Sequence, residues 1–208
     1  MLVKFDHLTY AANRASVQAI VGALQEKGYQ LTLQEEQATN MPTKLAYMQH
    51  QDATHGLHFL APPSEGGIPV EIVSYEHTTQ GTSCIDYQIG SQELTIKTSD
   101  VESCKSMLIA LGCEANEDGT ISFNGALDEH TITFRVVETT GISNNLDNEG
   151  ICCPTIFVRP LGKTKAKLEQ AGVYCSEIAT FEVQGALFYV FFAQGKGGEI
   201  LEITSNKL

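Results

Sequence analysis

Three β-prone runs carry metal-competent side chains among apolar neighbours: Phe5-Asp6-His7-Leu8-Thr9-Tyr10, Pro69-Val70-Glu71-Ile72-Val73-Ser74-Tyr75 and Glu199-Ile200-Leu201-Glu202-Ile203-Thr204. An imidazole or carboxylate in such a run is costly to bury unless something pairs with it. Three such runs in a chain of 208 residues point to a shared partner, and a divalent cation is the simplest one. Strand alternation separates Leu8 and Tyr10 from His7 and Thr9. By the same count Val70 and Ile72 part from Glu71, Val73 and Tyr75, and Leu201 and Ile203 part from Glu202. A second group is His50, His55 and His58. His58 alternates with Leu57 and Phe59 and is expected to face a cleft as an acid, a base or a substrate donor. His50 and His55 flank a polar turn and read as solvated. Gly195-Lys196-Gly197-Gly198 lacks the helix and the Ser or Thr of a phosphate loop and reads as a hairpin turn.

Those residues need elements to hold them. Residues 4–12 read as a strand and Asn13 as the N-cap of a helix, in which Val17, Ile20, Val21 and Leu24 share a face that Gly28 closes. Strand-like runs follow at 30–33, 44–49, 56–60 and 69–75. A second unit opens at 93–97. There Ser99 and Glu102 have capping-box spacing, and Val101, Cys104, Met107, Leu108 and Leu111 form an apolar face ended by Gly112. Short strands are predicted at 120–123 and 131–137, with Asn124-Gly125 as a turn. The third unit opens at 155–158, has a weakly apolar helix over 164–171 stopped by Gly172, and continues with strands at 177–183, 186–193 and 199–205. The stretch 139–150 is rich in Gly, Ser, Asn and Asp and reads as a linker. The order β-α-β-β-β thus appears three times, and a repeated unit says more than any single element. The expected class is α+β, in modules spanning 1–80, 81–140 and 141–208, the second poorest in signal.

A formal net charge of -12 argues against a nucleic-acid or anionic-membrane partner, since both repel an acidic surface. No apolar run approaches the length of a membrane span, and charge interrupts the first residues too early for a signal peptide, so a cytoplasmic location is the expectation. Cys84, Cys104, Cys113, Cys152, Cys153 and Cys175 have no C-x-x-C spacing and read as small buried hydrophobes.

The Phe5-Asp6-His7-Leu8 start, the helix ending at Gly28-Tyr29, the Pro69-Val70-Glu71-Ile72 close and its repeat at Ile200-Leu201-Glu202-Ile203 resemble the vicinal oxygen chelate superfamily of glyoxalases and extradiol dioxygenases. The resemblance implies β-α-β-β-β modules that curl mixed sheets around a cleft, with metal ligands from the first and last strands of a module. Carried over to this chain, it makes His7 and Glu71 the ligands of the first module and Glu202 that of the third, holding iron, manganese, nickel or zinc. Were the first and second modules to share the cleft, the set would be His7, Glu71 and Glu93. The third module has Thr155 where the family often has a His, and the last strand of the second offers only Thr133 or Arg135. The odd module is expected either to pair across a homodimer or to serve as a cap. The implied function is a small-molecule enzyme whose metal chelates vicinal substrate oxygens, as isomerase, lyase or dioxygenase. A metal-free small-molecule-binding protein on the same scaffold is the alternative.

Overall fold

The computed structural model describes residues 1–128, 130–142 and 145–208. The elements of the first module are β1 (Leu2–Asn13), α1 (Val17–Glu26), β2 (Gln30–Thr39), α2 (Pro42–Leu45), β3 (Thr54–Ala61) and β4 (Val70–Tyr75). The second comprises β5 (Ile85–Tyr87), β6 (Glu93–Thr98), α3 (Val101–Leu111), β7 (Glu114–Ala115), β8 (Ile121–Phe123) and β9 (Ile132–Glu138). The third comprises β10 (Gly150–Val158), α4 (Leu161–Gln170), β11 (Tyr174–Cys175), β12 (Ala179–Val183), β13 (Ala186–Gln194) and β14 (Ile200–Ser205).

The first and third modules merge into one mixed sheet of order β11-β13-β14-β10-β1-β4-β3-β2, with β12 alongside β13. The seam is the antiparallel pair of β1 and β10, in which His7 faces Thr155 and Phe5 faces Ile156. β4 runs parallel to β1, and β14 parallel to β10, so each module closes its own crossover beside its first strand. The second module forms a separate sheet of order β5-β6-β9-β8-β7. The expected class holds: an α+β fold of two mixed, open sheets.

Alternation divides the large sheet as its apolar pattern dictates. On one face Val70 and Ile72 pack with Leu60 against Val17, Val21 and Leu24 of α1. On the same side, toward the third module, Leu8, Ile156, Leu201 and Ile203 join Leu94, Ile96, Met107, Leu108, Phe123 and Phe134 of the second module in a single core. The odd module therefore caps the sheet from within the chain. On the opposite face Ala11, Val73, Tyr75, Cys153, Phe192 and Ile200 gather with Tyr47, Met48 and Leu146. Five cysteines are buried and the sixth half-buried, all as free thiols.

Four local expectations are corrected. Residues 44–49 form no strand. Pro42, at the start of α2, has its φ fixed near helical values, and Lys44, Leu45, Tyr47 and Met48 donate main-chain bonds of the turn that follows. Asn13 does not cap α1. Its side chain accepts from Ala15 N–H at 3.0 Å, an Asx turn that delays the helix until Ser16. The cap of α3 is Asp100, whose carboxylate accepts from Ser103 N–H at 2.9 Å, in place of a Ser99–Glu102 box. Within the stretch read as a linker, of which Ser143 and Asn144 lie outside the described residues, Asp147 is fully buried and accepts from the amides of Gln49 and His50. It thereby ties this segment to the turn after α2.

Candidate functional site

The site begins at a kink in β1. Between Phe5 and His7 the ladder with β10 gains one residue on β1, a bulge centred on Asp6. Successive strand side chains ordinarily point to opposite faces, and a bulge breaks that alternation. Here the Asp6 carboxylate reaches His7 Nδ1 at 2.9 Å, while Lys4 Nζ holds its other oxygen at 2.5 Å. The imidazole is fixed from behind, and the Phe59 ring stands nearly perpendicular to it with 5.4 Å between ring centres. Its remaining nitrogen, Nε2, is buried, lacks a hydrogen bond among the described residues, and lies 3.5 Å from Glu71 Oε2.

Glu71 is steadied by its neighbour on β1: Thr9 Oγ1 donates to Glu71 Oε2 at 3.4 Å, and Thr9 and Glu71 face each other across the parallel pair. On the other side of the seam, Thr155 pairs with His7 and Glu202 pairs with Thr155. His7, Thr155 and Glu202 therefore stand in one row across β1, β10 and β14, on the face that also carries Glu71. Thr155 Oγ1 is buried without a partner among the described residues. Among those residues no group of three or more His, Cys, Asp or Glu is drawn together tightly enough to hold a metal ion as the side chains lie. The close pair is His7 with Glu71.

A third contributor comes from α2. Lys44 is buried and places Nζ 5.6 Å from the centre of the Tyr75 ring. His55, on β3, lies 6.0 Å from the same ring. Tyr75 Oη, Tyr47 Oη and His55 Nδ1 are all buried without hydrogen-bond partners among the described residues. Tyr47 packs on Phe192 at 5.5 Å, so the segment after α2 lies over the same face of the large sheet.

The electrostatics are those of a buried, mixed-sign cluster. Burial opposes charge on His7, but Glu71 and Asp6 outweigh it and raise its pKa to about 10. Burial likewise opposes charge on Glu71, and His7 followed by Lys44 reverses that, leaving it below the usual carboxylate range. Burial and the nearby charge of Glu71 push Glu202 up to about 7, against the pull of His7 and Lys44. Burial works against the Lys44 ammonium, but Tyr75, Glu71 and Glu202 keep it charged. Burial and Lys44 depress His55 to about 3, so its ring is neutral near pH 7.

Sequence reasoning put His7, Glu71 and Glu202 on one face, and that is where they lie. Glu93 is elsewhere: it is exposed on the second sheet and accepts from Arg135 Nε at 2.9 Å. His58 does not lie on the face of His7 and Glu71. The register sets it opposite Ile72, on the α1 side, while Phe59 faces Glu71. His55, read as solvated, is the imidazole that is buried beside Tyr75. Lys44 was hidden at the start of an apolar run that reads as a strand; Pro42 two residues earlier was the available signal.

No protein-family model matches the chain, and no curated protein matches it. Solved structures do. The V278E mutant of glyoxalase I from Zea mays matches at 14% identity with a TM-score of 0.41, covering 97% of this chain and 67% of that one. Methylmalonyl-CoA epimerase from Mycobacterium tuberculosis matches at 14% identity with a TM-score of 0.46, covering 96% of this chain and 85% of that one. An integron cassette protein from the mobile metagenome of V. cholerae matches at 12% identity with a TM-score of 0.39, covering 58% of this chain and 98% of that one.

Proposed function

We propose that the chain is a small-molecule enzyme in which His7, Glu71 and Glu202 hold a divalent metal on the shared face of the first and third modules. The observation that carries this reading is the buried His7 Nε2. It has no hydrogen bond among the described residues, faces Glu71 at 3.5 Å, and is backed at Nδ1 by the Asp6 carboxylate. A carboxylate behind a histidine is the usual support for a metal-binding imidazole, because it fixes the tautomer and strengthens the free nitrogen as a donor. The donor set fits a borderline divalent ion in kind: one imidazole and two carboxylates. When bound, such an ion polarises neighbouring oxygens of a substrate. Asp6 orients His7, and Thr9 holds one oxygen of Glu71. The module division at 1–80, 81–140 and 141–208, a cytoplasmic location and the lyase, isomerase or dioxygenase classes belong to the same reading.

A metal-free small-molecule-binding protein is the second reading, and Lys44 is what favours it, because that ammonium already lies close enough to Glu71 and Glu202 to offset their charge. Metal content separates the two. Protein purified without a metal column and incubated with iron, manganese, nickel and zinc should retain about one tightly bound ion per chain, and a His7→Ala, Glu71→Ala variant should retain none. Equal, negligible metal in both would leave the metal-free reading standing.

A further inference from the structure

Glu199 is a buried acid outside the His7–Glu71 site. It is 1% exposed and stands just before β14 begins at Ile200. Its main chain closes the turn 195–198: Gly195 N–H donates to the Glu199 carbonyl at 3.0 Å, and Gly198 N–H to the Gly195 carbonyl at 3.0 Å. The turn wraps the carboxyl closely. A Cβ on Gly195 would collide with Glu199 Oε1, and one on Gly197 with Thr98 Oγ1.

The same turn rests on the start of α3, in the second module. Ser99 Oγ donates to the Gly197 carbonyl at 3.4 Å, and Lys196 N–H donates to Ser103 Oγ at 3.4 Å. Thr98 Oγ1 accepts from Asp100 N–H at 3.1 Å and donates to Glu199 Oε2 at 2.8 Å. Glu199 Oε1 is buried without a hydrogen-bond partner among the described residues.

The titratable groups that bear on this carboxyl are Asp100 at the head of α3, the Cys104 thiol on α3 and the Cys84 thiol before β5, and none of them is a cation. Lys196, in the turn itself, is exposed, and Lys97 is paired with Asp86. A carboxylate buried with one oxygen unmatched and no counter-charge is costly, whereas the neutral acid is far less so. Burial, with Asp100 adding to it, outweighs the hydrogen bonds donated to Glu199 and raises its carboxyl above the ordinary 4.5.

We propose that Glu199 is a proton-operated latch between the second and third modules. As the neutral acid it holds the 195–198 turn, and with it the head of β14, against the start of α3. Loss of that proton to solvent leaves a buried charge that favours release of the turn. A raised carboxyl contributes its stability in full below the ordinary value and loses it as pH climbs to the folded midpoint, so the latch weakens as pH rises.

The test is hydrogen exchange at the Gly195, Lys196 and Gly198 amides of the full chain, with the Glu199 carboxyl followed by its carbon-13 shift in the same samples. The carboxyl midpoint should lie above 4.5. Corrected for intrinsic rates, protection of the three amides should fall between pH 4.5 and that midpoint, by at most about tenfold per pH unit, and then level off. Glu199→Gln keeps the shape without the titrating proton and should show flat protection. Glu202→Gln should keep the wild-type fall, which separates the latch from the other raised carboxyl on β14. A fall that persists in Glu199→Gln, one that vanishes in Glu202→Gln, or flat protection in wild type overturns the latch. A Glu199 midpoint at or below 4.5 does the same, and it is read in wild type, so it decides the matter should Glu199→Gln not fold.

Discussion

At the scale of single residues, metal binding turns on how His7 is held. The bulge at Asp6 brings two consecutive side chains together, and the carboxylate then fixes Nδ1. Asp6→Asn should keep the fold and lower manganese affinity by about 10- to 100-fold in calorimetric titration, the usual cost of losing such a support. Glu202 yields a pH prediction. Its carboxyl pKa is raised by burial and by Glu71 to about 7, from an ordinary value near 4.5. A raised carboxyl contributes stability that is complete below pH 4.5 and is lost as the pH climbs through 7. In metal-free protein, Glu202→Gln should therefore gain on wild type between pH 5 and pH 8, by on the order of 2 kcal/mol in urea denaturation. A difference that stays flat across that range would show that Glu202 is solvated. His7 titrates with the opposite chemical consequence. Glu71 and Asp6 hold a proton on it, so metal must displace that proton and manganese should bind more tightly as the pH rises from 6 to 9.

At the scale of elements, the faces of β1, β4 and β14 were legible because Leu8 and Tyr10, Val70 and Ile72, and Leu201 and Ile203 recur with a period of two beside the candidate residues. Leu8, Val70 and Leu201 lie away from His7, Glu71 and Glu202, as the pattern required. The face of His58 was not legible. β3 has apolar residues at Leu57, Phe59 and Leu60, and only its long-range pairing of Phe59 with Glu71 decides which of its sides shares the face of His7. Lys44 was missed for a related reason. The run Lys44-Leu45-Ala46-Tyr47-Met48 reads as a strand, but the proline before it starts a helical turn. Gly125 tests the element contacts independently of the site. A Cβ there would lie 2.7 Å from the Val3 carbonyl oxygen and 2.8 Å from Lys4 Cα, where neither backbone atom can easily retreat. Gly125→Ala should cost about 1–3 kcal/mol in urea denaturation, as overpacking against fixed atoms does.

At the scale of the whole molecule, the second module is part of the body that supports the site. Its strands and α3 share one core with Leu8, Ile156 and Ile203 of the large sheet. A second tie is Glu199, fully buried beside β14, whose Oε2 accepts from Thr98 Oγ1 at 2.8 Å. The sequence marked this module by its helix face but gave no sign of where it would dock, because packing of one module on another depends on surfaces far apart in the chain. Calorimetry should show a single cooperative unfolding transition, since the largest core joins residues of all three modules; two resolved transitions would contradict this.

The central claim is that the first and third modules meet to make one metal centre. Manganese uptake by wild type, by the His7→Ala, Glu71→Ala variant and by Glu202→Gln tests it most directly, because those residues come from both modules. Wild type should hold about one tightly bound ion per chain, the double variant none, and Glu202→Gln should bind at least about tenfold more weakly. Wild-type uptake no greater than that of the double variant would contradict it.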